Sequence, residues 1–398
     1  MPELAKKEKC TGCAACFNKC PFEAIYMKAD YTGFLYPVID NMKCTNCNAC
    51  EIACPVLNNV LSKSNQQRAY IAQNKDNDIR IQSTSGGVFT AIASETIKRG
   101  GVVFGASFDD NYYVKHTVED NINNLQKYRN SKYVQSEIGH CYKIAEEYLK
   151  QKILVCFSGT PCQIQGLKKY LSKDYDNLIT VDFMCRAVPS PKVFHKYLLQ
   201  MENKYPSIKK VVFRDKARGY SYSTLSFYDS SNKNLYRGGS EYDQWLRIFF
   251  EGYCNRESCY KCKFQTGSRV SDFTLWDCWG TSKYAPEFDD NKGTTNIIVW
   301  TKKGQELFNS FRDNLRLKEI GIDAIDASLE RGVLPRPIFD RNEFWIDVES
   351  LSPEAFFYKY VPISGKVKLK SCMRQIIWRL HLHNIIRKGV HWIRRNRK

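Results

Sequence analysis

The cysteines of the first 60 residues have spacings that indicate a particular chemistry. They follow the run C-x2-C-x2-C-x3-C-P twice, 34 residues apart, at Cys10, Cys13, Cys16, Cys20 and Pro21 and at Cys44, Cys47, Cys50, Cys54 and Pro55. In such a run three thiolates wrap one cubane and the fourth reaches the other cluster. The spacing therefore predicts two 4Fe-4S clusters, one on Cys10, Cys13, Cys16 and Cys54, the other on Cys20, Cys44, Cys47 and Cys50. Structural zinc is the alternative, but zinc knuckles rarely place three cysteines at this spacing before Cys-Pro.

A second group of cysteines is scattered along the chain at the ends of predicted elements. Cys162 opens a helix after one strand, Cys185 follows the next strand, and Cys259 and Cys262 form a C-x-x-C pair. Because the carboxyl ends of parallel strands face one crevice, the four thiols are expected to surround a third 4Fe-4S cluster. The helix N-terminus is expected to favour the Cys162 thiolate that iron requires. Four separately buried, inert cysteines are the alternative.

Two polar segments have residue types that suit a nucleotide. The Ser85-Gly86-Gly87 segment precedes a predicted helix, where backbone N–H groups and the helix dipole favour a phosphate. A simple helix cap is the alternative. The Ser131-Lys132 pair and Gln135 offer a hydroxyl, a cation and an amide for a pyrophosphate or the edge of an isoalloxazine ring. A solvated loop explains these residues equally well.

Hydrophobic periodicity predicts the elements that would position these side chains. From residue 69 onward strands alternate with helices, which predicts βαβ units in a mixed α/β fold. The predicted strands are 33–40, 69–72, 102–106, 153–157, 178–184, 210–214 and 295–301. The predicted helices are 85–98, 138–151, 162–171, 242–251 and 305–311. The polar stretch 58–68 is predicted to be a linker.

Composition excludes several classes of protein. With 398 residues, of which 43% are hydrophobic and 26% charged, the chain is neither disordered nor collagenous nor a coiled coil. A chain of this length buries a core without disulfides, and its first residues lack the apolar run of an export signal. The high number of cysteines, 17 in all, therefore favours a reducing cytoplasm and metal-bound thiolates over disulfides. There is no run of 18 uncharged apolar residues, so no transmembrane span is predicted.

The net charge of +18 is concentrated near the C-terminal end. Residues 366–398 contain 11 Lys or Arg and no Asp or Glu, which leaves +7 for the rest of the chain. Aliphatic and tryptophan side chains alternate with these cations, which predicts a basic amphipathic helix on an anionic membrane surface. A protein partner and nucleic acid are the alternatives. Nucleic acid is disfavoured because each oxidised cluster adds about −2 to a body that is only mildly basic.

Several ordered motifs together resemble one family. They are Phe157-Ser-Gly-Thr-Pro-Cys162-Gln163, Cys185-Arg-Ala-Val-Pro-Ser190-Pro191, Ser258-Cys-Tyr-Lys-Cys262-Lys-Phe264, Arg269-Val-Ser-Asp272-Phe-Thr274 and Trp279-Gly280. Residues 5–345 are similar to the coenzyme F420 hydrogenase/dehydrogenase beta-subunit family, preceded by a two-cluster ferredoxin domain. The resemblance implies a third 4Fe-4S cluster at Cys162, Cys185, Cys259 and Cys262, and an FAD site at Ser85, Gly86, Gly87, Ser131, Lys132 and Gln135.

The chain departs from the family pattern near the expected flavin. Trp276-Asp277-Cys278-Trp279-Gly280 stands where the family often has Gly-Asp-Phe-Trp-Gly, and Ala187 stands where it has Gly. The pocket over the flavin is therefore expected to differ, which disfavours F420 as the substrate. Bacterial members of this architecture resemble proteins of capsule and exopolysaccharide pathways, which implies a glycan intermediate as substrate and suits a tail at a membrane.

These features predict a small bacterial-type ferredoxin domain (1–60), a mixed α/β flavin-binding domain in two parts (69–150 and 151–345) and a basic C-terminal helix in the tail (362–398). The predicted function is an iron–sulfur flavoprotein oxidoreductase that passes electrons between an external donor, its clusters and FAD to an unidentified substrate. A reduced ferredoxin or a deazaflavin-like carrier is the expected donor. The expected location is the cytoplasm, at the inner face of the membrane. The alternative is a non-catalytic electron-transfer subunit of a larger redox complex.

Overall fold

The computed structural model describes residues 1–58, 67–265, 269–322, 339–380 and 382. The predicted linker at 58–68 falls largely outside these ranges, as do residue 381 and residues 383–398 of the predicted tail. Within the described residues, no helix is long and apolar enough to cross a membrane.

The N-terminal region consists of two short helices and a hairpin. Helices α1 (Ala15–Lys19) and α2 (Ala49–Ile52) flank the antiparallel strands β1 (Ile25–Ala29) and β2 (Leu35–Ile39). The hairpin turn is closed by Gly33, whose φ of 81° is left-handed and whose N–H bonds the carbonyl of Asp30 at 2.9 Å. The strand predicted between the cysteine runs is therefore confirmed as β2.

The sequence repeat reappears in the backbone conformation. Gly12 and its counterpart Asn46 have φ values of 68° and 59°, and Ala14 and its counterpart Asn48 have φ values of 60° and 58°. Left-handed residues are uncommon outside glycine and asparagine, so their occurrence at the same places in both copies reflects one local structure used twice. In each copy these residues turn the chain between closely spaced cysteines before the helix begins.

The remaining strands form two sheets. Along the chain they are β3 (Arg68–Asn74), β4 (Val102–Phe108), β5 (Val114–Glu119), β6 (Val155–Gly159), β7 (Leu178–Phe183), β8 (Lys210–Asp215), β9 (Thr224–Tyr228), β10 (Asn234–Gly239), β11 (Phe273–Asp277), β12 (Thr295–Val299) and β13 (Leu315–Ile320). Strands β8, β9 and β10 form a small antiparallel sheet. The other eight have the order β13-β3-β12-β11-β7-β6-β4-β5.

Four neighbouring strands of the large sheet are parallel, namely β4, β6, β7 and β11. Strand β5 runs antiparallel to β4, and β12 runs antiparallel to both β11 and β3. The carboxyl ends of the four parallel strands therefore lie along one edge, where ligands bind in open α/β sheets.

Helices cover the sheets and continue beyond them. They are α3 (Asn77–Gln82), α4 (Val88–Lys98), α5 (Cys141–Lys150), α6 (Pro161–Leu171), α7 (Pro191–Lys204), α8 (Gln244–Phe250), α9 (Thr281–Tyr284), α10 (Lys302–Phe311), α11 (Arg341–Ser350), α12 (Pro353–Tyr360) and α13 (Gly365–Arg379). Short 3-10 helices lie at Ile122–Tyr128, Tyr220–Tyr222, Glu257–Lys261, Pro286–Phe288 and Arg312–Asn314.

The N-terminal region packs directly on the main domain. Ala15 and Cys13 belong to the same buried apolar cluster as Phe104 and Phe157 of the large sheet. Gly166 in α6 permits this close approach, because a Cβ at that position would lie 3.1 Å from the Cys13 sulfur. The first cysteine run is thus held against α6 and the strand that precedes it.

The predicted mixed α/β fold with a ferredoxin-like N-terminal region is confirmed. The predicted strands and helices are all found within a few residues of their expected bounds. Strands β1, β9, β10 and β11 are not predicted, and neither are the edge strands β5 and β13. Each of these last two carries charged residues among its apolar ones, as edge strands commonly do, so neither shows the apolar run that marks a buried strand.

Candidate functional site

Four cysteines of the N-terminal region surround one small pocket. Its sulfur-bearing residues are Cys10, Cys13, Cys16 and Cys54, and most of its remaining lining is apolar. The pocket joins three cysteines of the first run to the last cysteine of the second. This is the crossed arrangement that the spacing predicts.

A second pocket repeats this arrangement with the other four cysteines, Cys20, Cys44, Cys47 and Cys50. Here Cys47 is exposed, whereas Cys50 and Cys20 are buried. Phe22 also lines the pocket and is itself about half exposed, at 48%. The second pocket therefore reaches the molecular surface.

The second group of cysteines meets at the carboxyl edge of the large sheet. Cys162 lies at the start of α6 directly after β6, and Cys185 lies just past β7. Cys259 is in the 3-10 helix Glu257–Lys261, and Cys262 follows it. Burial raises the pKa of the Cys185 thiol well above its usual value, and the Cys259, Cys162 and Cys262 thiols raise it further. The four are thus close enough to interact electrostatically.

Several groups around Cys162 shift the pKa of its thiol. Burial raises this pKa to about 11, and the neighbouring Cys262 thiol adds to the rise. The hydrogen bond with the Thr160 hydroxyl, at 3.1 Å, and the charge of Arg256 act in the opposite direction. A thiolate at this position therefore depends on charges and hydrogen bonds that offset burial.

The first and third cysteine sets are neighbours. Burial raises the pKa of the Cys13 thiol to about 12, and Cys10, Cys162 and Cys54 add to the rise. The Cys13 and Cys162 thiols, one from each set, therefore lie close enough to interact electrostatically.

The donor chemistry of the sets fits 4Fe-4S clusters. Each of the first two pockets presents four thiols and neither histidine nor carboxylate, as expected for all-cysteine ligation of iron. Among the described residues, no three His, Cys, Asp or Glu side chains are placed to share a single metal ion. A cubane, by contrast, needs its thiolates around a group of eight atoms.

The predicted Ser85-Gly86-Gly87 segment lies at the N-terminus of α4, and the backbone N–H and carbonyl of Gly86 are already hydrogen-bonded within the protein. The Gly86 N–H donates to Thr295 Oγ1 at 2.7 Å, and its carbonyl accepts from Asn74 N at 2.7 Å. A Cβ on Gly86 would come within 2.3 Å of the Ala72 carbonyl oxygen. Gly86 is thus required by packing. Gly87 has a left-handed φ of 81°, and no side chain caps the helix there.

The other three predicted nucleotide contacts fall in two places. Ser131 and Lys132 line a large cavity, and the Lys132 ammonium donates to the carbonyls of Lys127 at 2.6 Å and Arg129 at 3.0 Å. Burial lowers the pKa of Lys132 to about 7. Gln135 points instead towards the first cysteine set, where its Nε2 donates to the Thr11 carbonyl at 3.1 Å. The structure therefore does not bring these three residues to one point.

The cavity has a volume of about 1620 Å³ and lies beside the carboxyl end of β4. This exceeds the roughly 300–1,000 Å³ of typical ligand pockets, so a dinucleotide-sized molecule has room there. Cations outnumber acids in its lining. The cations are Lys127, Arg129, Lys132, Lys209, Lys210, Arg214 and Lys216, and the acids are Asp109, Asp110, Glu202 and Asp215.

Sequence reasoning missed an ion pair at the edge of this cavity. Arg214 Nη1 lies 2.9 Å from Asp277 Oδ2, and the Tyr220 hydroxyl donates to the same carboxylate at 2.8 Å. Trp279 stacks on Tyr220 with ring centroids 4.6 Å apart. A signal was present in the sequence, since Asp277 ends a strand and Trp279 belongs to one of the family motifs. The partner Arg214 lies 63 residues away along the chain.

The cysteines that were not predicted as ligands lie elsewhere. Cys141, Cys156, Cys254 and Cys278 are buried, and Cys372 is exposed on α13. The Cys141 sulfur lies 3.2 Å from the His116 carbonyl.

Comparisons with protein families match two regions of the chain. Residues 9–58 match the 4Fe-4S dicluster domain. Residues 153–324 match the family described as the C terminus of the coenzyme F420 hydrogenase/dehydrogenase beta subunit. The resemblance inferred from the sequence motifs is thereby confirmed.

A curated relative and a solved structure also resemble the chain. The coenzyme F420-dependent sulfite reductase of Methanocaldococcus jannaschii is 25% identical over 256 residues, covering 60% of this chain. The chain spans only 37% of that relative's length. A chain of the F420-reducing NiFe hydrogenase complex from Methanosarcina barkeri aligns with a TM-score of 0.46 and 16% identity, covering 68% of this chain and 89% of that one.

Proposed function

We propose that this chain is an oxidoreductase that carries electrons through three iron–sulfur clusters to a flavin. Its residues 153–324 match the C terminus of the coenzyme F420 hydrogenase/dehydrogenase beta subunit, and its residues 9–58 match the 4Fe-4S dicluster domain. The observation that carries the proposal is the succession of three cysteine sets. One reaches the surface at Cys47, the next is partly to fully buried, and the third adjoins it at Cys162.

The protein's own contribution is to fix the spacing and polarity around each sulfur. Apolar side chains make up most of the remaining lining of the first pocket, and burial there strengthens charge interactions. Gly166 holds α6 against Cys13, and Cys162 begins the same helix. Helix α6 therefore positions Cys162 of the third set relative to Cys13 of the first.

We place FAD in the basic cavity. When bound, FAD would supply the hydride and single-electron chemistry that cysteine sets lack. Ser131 and Lys132 are the proposed contacts, because both line the cavity and Lys132 suits a phosphate when protonated. Gly87 remains a proposed backbone contact at the start of α4. Gly86 and Gln135 bond Thr295 Oγ1 and the Thr11 carbonyl instead, so the proposed FAD contacts are Ser131, Lys132 and Gly87.

The proposed donor docks at the second cysteine set. Cys47 is exposed there, and Met42 beside the run is 95% exposed, so a redox protein or carrier would approach this cluster most closely. A reduced ferredoxin or a deazaflavin-like carrier fits that role. The proposed substrate class, a glycan intermediate, rests on the sequence resemblance to bacterial members alone.

A non-catalytic electron-transfer subunit is the second candidate function. The match of residues 9–58 to the 4Fe-4S dicluster domain supports electron transfer and carries no substrate, so in this case the reaction would take place on a partner.

The exposed face of α13 supports attachment of the proposed enzyme to an anionic membrane. Leu369, Met373, Ile376 and Leu380 are 49–63% exposed and recur at spacings of four, three and four residues, which places them on one stripe. Lysines and arginines flank that stripe, and the helix contains no acid. This is the pattern of helices that lie in the membrane interface.

One experiment tests the proposed function as a whole. The full chain, purified without oxygen, should contain about twelve iron and twelve sulfide ions, because three cubanes require them, and it should release FAD on denaturation. A homogeneous sample that oxidises a chemical donor and reduces an added acceptor is an enzyme in its own right. A sample that accepts electrons but passes them on only when a partner protein is added is an electron-transfer subunit. About eight iron ions, or no flavin, would reject the corresponding part of the proposal.

A further inference from the structure

Arg256 is a fully buried arginine between the first and third cysteine sets. It has 0% exposure and is among the largest fully buried side chains of the described residues. Its Nε donates to the Cys10 carbonyl at 2.7 Å, and its Nη2 donates to the Leu35 carbonyl at 2.9 Å. Nη2 also lies 3.8 Å from the Cys10 sulfur. The guanidinium is therefore aimed at the first cluster site.

The surroundings of Arg256 satisfy its hydrogen bonds but not its charge. Its remaining side-chain partner is the Gln135 amide oxygen, at 3.0 Å from Nη1, and the Tyr36 ring lies 4.1 Å from the guanidinium carbon. Among the described residues, no carboxylate forms an ion pair with Arg256. The buried Arg269, by contrast, lies 3.6 Å from the Asp182 carboxylate.

A buried guanidinium without an anion is costly, since charges inside proteins are normally paired. The thiolates of a 4Fe-4S centre supply the missing negative charge, because such a centre with four thiolates carries about −2 when oxidised. Arg256 thus has the position and sign of a counter-ion for the cluster on Cys10, Cys13, Cys16 and Cys54.

The same residue is tied to the third cysteine set. Its carbonyl accepts from Cys259 N at 2.9 Å, and its own N–H donates to the Val188 carbonyl at 3.0 Å. The positive charge of Arg256 also lowers the pKa of the Cys162 thiol. A single residue therefore contacts the first set with its side chain and the third set with its backbone.

We propose that Arg256 is a positioning residue that sets the reduction potential of the first cluster relative to that of the third. Reduction adds negative charge to the cluster, and a fixed cation with an N–H aimed at a sulfur stabilises that charge. Arg256 therefore raises the potential of the first cluster. This inference rests on the proposed function, since it requires iron in the first and third sets.

The test is a potentiometric titration of the full chain, followed by electron paramagnetic resonance. In Arg256→Gln, the reduced-to-oxidised ratio of the first cluster at a fixed potential should fall at least tenfold, equivalent to a shift of about 59 mV to lower potential. The signals that change in a Cys47→Ser variant identify the second cluster. The reduction potential of that cluster should be unchanged in Arg256→Gln. Arg256→Lys keeps the charge without the planar fork, so it should give a smaller shift.

Arg80→Gln is the matched control. Arg80 is also buried, but it pairs with Asp290 at 2.5 Å, and within the described ranges it forms no hydrogen bond to a cysteine, so its loss should leave all potentials unchanged. Unchanged potentials in Arg256→Gln, or an equal shift in Arg80→Gln, would overturn the proposal.

If Arg256→Gln loses the first cluster, its potential cannot be measured, and the iron content of the two Arg256 variants is compared instead. Retention of that cluster in Arg256→Lys would then support the counter-ion role, whereas its loss from both variants would show a packing role and overturn it. A wild-type chain without iron in the first and third sets would instead reject the proposed function on which this inference rests.

Discussion

At the residue scale, the cysteines divide by what surrounds them. Some of those proposed as ligands lie close to several other thiols, as Cys13 does to Cys10, Cys162 and Cys54, which raise its pKa. The pKa of Cys156 is raised to about 12 by burial, with no other cysteine among its causes. Burial alone therefore does not mark a ligand, whereas mutual proximity of several thiols does.

This division leads to a prediction for the third set. Cys162→Ser and Cys262→Ser should each lower the iron content of the full chain from about twelve to about eight per chain, because one cubane of three is lost. Chemical iron and sulfide analysis of anaerobically purified variants measures this. The ferredoxin-type signals of the first two clusters should remain.

Cys254→Ser is the control for that experiment. Cys254 lies five residues before Cys259 and is fully buried, but no other thiol is among the causes of its raised pKa. Its replacement should leave all the iron in place. Iron loss on changing Cys254 would show that the C-x-x-C pair has been assigned to the wrong centre.

At the scale of elements, residues 129–136 join the cavity to the cysteine sets. Lys132 lines the cavity, and Val134 is buried in the main apolar cluster. Gln135 bonds Thr11, and Ser136 Oγ accepts from Gln163 Nε2 at 3.2 Å, next to Cys162. One loop therefore contacts both the proposed flavin site and the elements that carry two cysteine sets.

The start of α4 is a second element with a testable role. Gly87→Val should yield protein with normal iron content but with FAD occupancy reduced to a small fraction, because a β-branched residue is strained at a φ of 81° and displaces the helix start. The absorbance of flavin released on denaturation, relative to protein, is the measurement.

Gly87→Asn serves as its control, since asparagine tolerates the left-handed conformation. It should retain more FAD than the valine variant. Full FAD occupancy in Gly87→Val would leave the helix-cap explanation of this segment standing and remove Gly87 from the proposed flavin site.

The sequence predicts those parts of the site that depend on local spacing. The crossed cysteine sets follow from one repeated run, and Cys162 and Cys185 follow from strand ends. The roles of Arg256 and Arg214 could not be predicted, because their partners Cys10 and Asp277 are 246 and 63 residues away. Likewise, the direction of the Gln135 side chain could not be predicted, because no periodicity shows which way a loop side chain turns.

At the scale of the whole molecule, charge is distributed unevenly. The N-terminal region would gain negative charge from its clusters, while α13 carries only positive charges. Arg374 anchors α13 to the body through an ion pair with Glu241 at 2.9 Å and lies over the Tyr222 ring. Leu369 and the other residues of the apolar stripe remain exposed. The helix is thus held in place with its apolar face outward.

This arrangement predicts binding to anionic lipid. The full chain should sediment with vesicles of phosphatidylglycerol and phosphatidylcholine but not with phosphatidylcholine alone, and high salt should release it. Each engaged Lys or Arg contributes about 1 kcal/mol at an anionic surface, and each fully buried Leu or Ile about 1.5–3 kcal/mol. A Leu369→Glu, Ile376→Glu double variant should therefore lose most of the sedimentation, as should truncation after Val361, with iron and flavin unchanged.

Ile346→Glu is the control that shows whether vesicle binding depends on the apolar stripe of α13 or on any exposed apolar side chain. Ile346 on α11 is 64% exposed, as much as Leu369, but lies outside α13, so its replacement should leave vesicle binding intact. Vesicle binding by the truncated chain equal to that of the full chain would contradict the membrane assignment. Competition by duplex DNA at physiological salt would reassign the tail to nucleic acid, because binding would then follow phosphate charge without the apolar stripe. The stripe variant adds carboxylates to the apolar face of α13, whereas Ile346→Glu adds one elsewhere, so loss of vesicle binding in the stripe variant alone locates the lipid contact on α13.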